Sequence, residues 1–98
     1  MVKDVRELTP EEREQFKKLY TQYFLENVIE PKEVLKVQRA RAFAEKYIRH
    51  MEYGYYLGLG YFDQDDINGL IVGELGDGNT ASIIHTQYKF GMGEEKKF

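Results

Sequence analysis

Several acidic and amide side chains crowd into one short stretch of the chain, and their spacing raises the question of a calcium site. They are Asp63, Asp65, Asp66 and Asn68. The calcium-loop template needs an oxygen ligand at its fifth position and glycine at its sixth. Those two positions hold Ile67 and Asn68, so the template is not met. We therefore predict an ordinary turn between two strands and no metal site.

The imidazole side chains, His50 and His85, do not lie at metal-ligand spacing from one another or from a carboxylate. His85 could form a hydrolase-like triad with Ser82 and Glu74 on adjacent predicted strands. Three such residues on neighbouring strands are weak evidence for catalysis. A half-buried His85 with an ordinary hydrogen bond is the interpretation we favour. No catalytic residue is assigned.

A basic stripe at helical spacing precedes the strands. It consists of Lys32, Lys36, Arg39, Lys46 and Arg49, with Glu33, Glu45 and Glu52 partly neutralising it. RNA or a cofactor phosphate could bind such a stripe. No aromatic side chains interleave with it to stack bases, however, so a solvated helix face is favoured and no nucleic-acid partner is expected.

Three apolar runs, rich in aromatic and β-branched residues, predict an antiparallel meander over residues 53–62, 70–75 and 81–90. Clusters of Gly, Asp and Asn at 63–69 and 76–79 predict the turns between them. In the first strand, alternation places Tyr55, Leu57, Leu59 and Tyr61 on one side and Tyr56, Gly58, Gly60 and Phe62 on the other. The third strand divides into Ile83, His85 and Gln87 against Ile84, Thr86 and Tyr88. Two glycines on one face predict close approach of a helix.

Two helices are predicted before the meander. Thr9 can cap the first, Pro10 suits its first position and Glu12 completes a capping box. Its apolar stripe is Phe16, Leu19, Tyr20, Tyr23 and Phe24. Pro31 is predicted to open the second, whose apolar face is Val37, Ala40, Phe43, Ala44, Tyr47, Ile48 and Met51. We expect Leu19, Phe43 and Ile71 in the core.

Composition restricts the class of protein. The 98 residues, 42% of them hydrophobic, suffice for one core. The net charge of -3, with both signs mixed, argues against a general nucleic-acid or membrane binder. The absence of cysteine excludes disulfides and thiolate chemistry. No apolar run approaches the roughly 20 residues that a membrane span needs, and the N-terminus lacks a signal-peptide core, so we expect a cytoplasmic protein without a membrane partner.

The element order resembles the N-terminal half of the GNAT superfamily of N-acetyltransferases. Three stretches carry the resemblance: Val5-Arg-Glu-Leu-Thr-Pro-Glu-Glu12, Asn68-Gly-Leu-Ile-Val-Gly-Glu74 and Phe90-Gly-Met-Gly93. It covers nearly all of this chain but about half of a family member. The chain ends where the family's third helix begins.

The resemblance implies acetyl-CoA or coenzyme A as cofactor, with Gly91, Met92 and Gly93 as the end of the family's pyrophosphate-binding loop. The family's loop carries Arg or Gln three residues before its first glycine, where this sequence has Tyr88. We therefore expect weak or no coenzyme A binding and no catalysis by this chain alone.

These observations predict one α+β domain over residues 1–98, with a short strand at 2–8 and a flexible charged tail at about 91–98. The predicted order is β-α-α-β-β-β, a four-stranded, mostly antiparallel sheet with two helices on one face. One functional hypothesis is a GNAT-like relative of the acyl-CoA-dependent N-acyltransferases. The alternative is a non-catalytic interaction or assembly module. The predicted partner is a second copy, joined through strand 81–90 or through the exposed sheet face.

Overall fold

Two helices pack against one face of a four-stranded antiparallel sheet, as the sequence predicted. The structure, a computed structural model, describes residues 1–78 and 80–89. The elements are β1 (Val2–Asp4), a 3₁₀ turn (Val5–Glu7), α1 (Pro10–Asn27), α2 (Lys36–Glu52), β2 (Tyr56–Asp63), β3 (Asp66–Leu75) and β4 (Ala81–Tyr88). The strands lie in the order β1-β2-β3-β4, and each pairs antiparallel with its neighbour. The predicted α+β order is therefore confirmed for the described residues.

Helix α1 begins as its sequence predicted. The Thr9 hydroxyl accepts a hydrogen bond from the Glu12 backbone N–H at 3.2 Å, and the Glu12 carboxylate accepts one from the Thr9 N–H at 3.0 Å. This capping box satisfies two N–H groups that have no partner inside the helix. Glu12 also forms an ion pair with Lys3 of β1. One side chain thus fixes both the start of α1 and its position beside the sheet edge.

Helix α2 begins at Lys36, and the prediction that Pro31 opens it was wrong. The segment at 31–35 forms turns, one of them closed by a hydrogen bond from the Glu33 N–H to the Glu30 carbonyl. Proline favours the first turn of a helix but cannot cap it, and the N-cap, Leu35, offers no side-chain acceptor. The buried face is Ala40, Ala44, Ile48 and Met51, with Phe43 and Tyr47 packed beside it. Val37 is exposed, contrary to its predicted place on this face.

The hairpin between β2 and β3 is tighter than predicted. Strand β2 starts at Tyr56, because residues 53–55 complete the end of α2 with bonds back to its last carbonyls. Asp63 pairs with Asp66, so Gln64 and Asp65 form a two-residue turn, with Gln64 at a φ of 58°. The predicted turn at 63–69 is therefore mostly strand. The register shifts beside Asn68, the extra residue of a bulge.

The predicted close approach of helices to the β2 glycines is confirmed. A Cβ built on Gly58 would lie 2.3 Å from the Met51 sulfur of α2 and 2.7 Å from a Val5 methyl. One built on Gly60 would lie 3.4 Å from the Phe16 ring of α1. Both helices therefore lie on the Gly58–Gly60 face of the sheet, which we call the helix face.

The core lies between the helices and this helix face, and one of its predicted members was placed wrongly. Leu19 is buried and Phe43 is partly buried, as expected. Ile71 is 41% exposed. Its two neighbours in the strand, Leu70 and Val72, are buried against the helices. Because side chains alternate along a strand, Ile71 lies on the opposite face.

Strand β4 does not keep the alternation predicted for it. Gly73 pairs with Ile83 and Val72 with His85, so Ile84 is the extra residue of a second bulge. Ile84 packs against the core on the helix face together with His85, whereas Ile83 is exposed. A lysine at position 84 is therefore expected to unfold the protein rather than to report on any interface.

The contacts of Gly58 and Gly73 predict that alanine in place of glycine destabilises the protein more on the helix face than on the opposite face. Gly58→Ala should lower the free energy of unfolding by about 1–3 kcal/mol, because the short Val5 side chain cannot move away from the new methyl group. Gly73→Ala is the matched control. Its Cβ would meet its nearest atom at 3.6 Å, an ordinary contact, so its effect should stay within about 1 kcal/mol. Urea unfolding of the two variants measures the difference. Equal effects would contradict the placement of both helices on one face.

Candidate functional site

The residues predicted to bind coenzyme A, Gly91, Met92 and Gly93, lie outside the residues that the structure describes. The acidic turn lies within them. Asp63 and Asp66 face each other across the two-residue turn, and both are exposed. Over residues 1–78 and 80–89, no group of three or more acidic or imidazole side chains could hold a metal ion.

His85 is half-buried, and its Nδ1 shares a hydrogen bond of 2.7 Å with the Tyr20 hydroxyl, in agreement with the prediction. Its ring lies among the rings of Tyr20, Tyr23, Phe24 and Tyr47, with centroid distances of 4.5 Å to Tyr23 and 5.4 Å to Tyr47. Among the described residues, no hydrogen bond joins His85 to Ser82 or Glu74. The hydrolase-like triad is therefore not assembled.

Burial keeps this Tyr20–His85 pair neutral. It raises the pKa of the Tyr20 hydroxyl far above its ordinary value, so the hydroxyl keeps its proton and can donate it to Nδ1. Burial also lowers the pKa of His85 below 6.5. As pH falls below 6.5 the unfolded chain takes up a proton that the folded chain resists, so the fold loses stability there. The Nδ1 atom of His85 is thus already engaged by the Tyr20 hydroxyl within the aromatic cluster.

The basic stripe of α2 is partly used within the fold. Glu45 lies at the centre of an ion-pair group, 2.9 Å from Arg13 and 3.4 Å from Lys17, both on α1. Arg49 of α2 approaches the same carboxylate at 3.4 Å. Arg13 lowers the pKa of Glu45 to about 2. These charges join the two helices at their surface, which supports the interpretation of a solvated helix face.

The face of the sheet opposite the helices carries a continuous apolar surface, which we call the open face. Its side chains follow from the register in three rows: Val2, Tyr61, Gly69 and Tyr88; Asp4, Leu59, Ile71 and Thr86; and Leu57, Gly73 and Ile83. Tyr61, Ile83 and Tyr88 are 47%, 67% and 50% exposed. Within the described part of the chain, no helix covers this face.

The open face is almost free of charge. Asp4, at its β1 edge, is bound by the Arg6 guanidinium at 2.9 Å, which lowers the pKa of Asp4. The remaining side chains of the three rows are uncharged. A depression of about 390 Å³ lies between Tyr61 and Tyr88, with Gly69 in its floor. Such a surface can bind apolar groups.

Part of this site was visible in the sequence. Alternation in β2 correctly grouped Leu57, Leu59 and Tyr61 on the face away from the glycines. The contribution of β3 was missed, because Ile71 was assigned to the core. The available signal was the alternation itself, since Leu70 and Val72 share one face of the strand and Ile71 shares the other with Gly69 and Gly73.

The described helices include none with the length and apolar character needed to cross a membrane.

Comparisons of the chain with protein-family models, curated proteins and solved structures found no match. The open face is therefore the site that the geometry itself singles out.

Proposed function

We propose that this protein is a non-catalytic assembly module that associates with protein through its sheet. The observation that carries the proposal is that the side chains in the three rows of the open face are exposed or partly exposed and, apart from Asp4, uncharged. Monomeric proteins rarely expose a large contiguous apolar patch to water, and such patches mark interaction sites. The 41–67% exposure of Ile71, Tyr61, Tyr88 and Ile83 means that much apolar area remains to be buried.

The dimensions of the open face fit a protein partner. The four strands contribute 3, 8, 10 and 8 residues, which at about 3.3 Å along and about 4.8 Å across the strands give a footprint of roughly 450 Å². Two such faces opposed would bury on the order of 900 Å² in total, before the area of protruding side chains is counted. That area is in the range of small, weak interfaces.

The outer edge of β4 is a second surface available for assembly. Within the described residues, β4 pairs with β3 alone, so the other side of the strand from Ala81 to Gln87 is available for pairing with another strand. Its eight residues, Ala81–Tyr88, carry no charged side chain and no proline, two of the usual protections of an edge strand. A homodimer could form through this edge or through the open face.

A second candidate function is that of a GNAT-like, acyl-CoA-dependent N-acyltransferase. The observation that favours it is the element order, β-α-α-β-β-β with a meander in sequence order, which the resemblance implied. Its cofactor would be acetyl-CoA or coenzyme A, held at Gly91, Met92 and Gly93. Among the described residues, Tyr88 occupies the position where the family carries Arg or Gln.

The assembly proposal predicts a concentration-dependent mass. At about 100 µM, sedimentation equilibrium should give more than the 11.6 kDa of one chain. Ile71→Lys should shift the protein toward the monomer, because pairing would bury an uncompensated charge. The matched control is Val34→Lys, since Val34 is 92% exposed in the connection between the helices and lies outside the sheet. A wild-type mass of one chain at this concentration would overturn the proposal.

Binding of coenzyme A would distinguish the acyltransferase hypothesis from the assembly proposal. We expect titration calorimetry at millimolar coenzyme A to give no binding heat and no rise in melting temperature. The reason is that the loop lacks the basic or amide side chain that the family places at position 88. A saturable heat that disappears in Gly91→Asp, with a matching thermal shift, would favour the acyltransferase hypothesis instead.

A further inference from the structure

We infer that the open face pairs with the same face of a second copy, with Ile71 of each copy inserted beside Gly69 of the other. This inference rests on the proposed function and names its partner and its geometry. The depression bounded by Tyr61, Tyr88, Leu59 and Ile71, with Gly69 in its floor, is called the Gly69 notch.

Strand β3 presents a projection and a recess side by side. Ile71 is the one large side chain that β3 places in the three rows, between Gly69 and Gly73, each roughly 7 Å away along the strand. The register pairs Gly69 with Tyr61 on one side and Tyr88 on the other. The two tyrosines therefore form walls about 10 Å apart, with no side chain on the glycine between them.

The Gly69 notch has room for an aliphatic side chain. A Cβ built on Gly69 meets nothing closer than the Gln87 carbonyl oxygen at 3.5 Å and the Tyr88 ring at 3.6 Å. The depression of about 390 Å³ includes Gly69 but not Gly73 among its lining residues. Its lining is apolar apart from the side chains of Asn68 and Thr86 and the tyrosine hydroxyls. The notch at Gly69 is therefore the recess that fits isoleucine.

A two-fold axis makes the two features complementary. If the axis lies between the two sheets, across the strands and above Leu70, it places β3 antiparallel over the partner's β3. Ile71 then lies over the partner's Gly69, and the partner's Ile71 lies over Gly69, as an isologous interface requires. Sheets packed face to face are separated by about 10 Å, a gap that interdigitating side chains fill.

Charge also favours a second copy. Apart from Asp4, the three rows are uncharged. When the open faces of two copies pack together, no like charges therefore oppose one another at the centre of the contact. Asp4, the one ionised side chain among them, lies at the β1 edge and is already paired with Arg6. Pairing of identical faces therefore buries no unpaired charge at the centre of the contact.

The open face is favoured over the β4 edge. The bulge at Ile84 interrupts the strand near its middle, and bulges of this kind disrupt the regular ladder that edge pairing needs. Pairing through the edge would also leave Tyr61 and Ile71 exposed to water. Pairing face to face covers both.

Complementary substitutions test the geometry. Gly69→Val fills the notch and Ile71→Ala removes the projection, and each occurs twice in a symmetric dimer. Each variant alone should weaken dimerisation by about 100-fold or more, as measured by sedimentation equilibrium. An equimolar mixture should recover the wild-type affinity to within about threefold, because every contact in the heterodimer again joins a projection to a recess.

In the control mixture of Ile71→Ala with Gly73→Val, the heterodimer keeps one Ile71–Gly69 contact and leaves the other empty, so its affinity should stay about tenfold below that of the wild type. Circular dichroism and melting of each variant establish that it folds; should Ile71→Ala unfold, Ile71→Val takes its place. A dimeric wild type whose Gly69→Val and Ile71→Ala variants fail to complement would overturn this geometry and leave the assembly proposal standing. A monomeric wild type would overturn both.

Discussion

The close approach of both helices to the glycines of β2 is the constraint on which the rest of the structure depends. Met51 and Val5 lie so near Gly58 that even one methyl group there would overlap them. Because side chains alternate along a strand, fixing this face as the helix face also fixes every other residue of the sheet. Both helices lie on one side, and the tyrosines and aliphatic residues of the other side face water.

Aromatic packing completes the helix face. Tyr20 is fully buried and contacts the rings of Phe16, Phe24, Tyr47 and His85. Its hydroxyl is satisfied by His85, which removes the cost of burying an unpaired polar group. The imidazole therefore serves the core of the fold.

The sequence predicted the parts of the fold that depend on local chemistry. The capping box at Thr9 and Glu12, the alternation in β2 and the close approach at Gly58 all follow from residues near one another. It failed where the pairing between strands determines the face on which a side chain lies. The bulges at Asn68 and Ile84 each change the alternation by one residue, and single-strand patterns do not reveal them. The outward position of Ile71 was missed for another reason: packing against the helices decides which of the two faces of β3 is buried.

Intermolecular contacts of Ile71 test the central claim most directly. In a mixture of ¹³C-labelled and unlabelled protein, an isotope-filtered nuclear Overhauser experiment detects only contacts between copies. We expect contacts from the Ile71 methyl groups to the Tyr61 and Tyr88 rings of the other copy, and none from Val72, which is buried on the helix face. Intermolecular contacts confined to the β4 edge, or none at concentrations where a dimer forms, would contradict it.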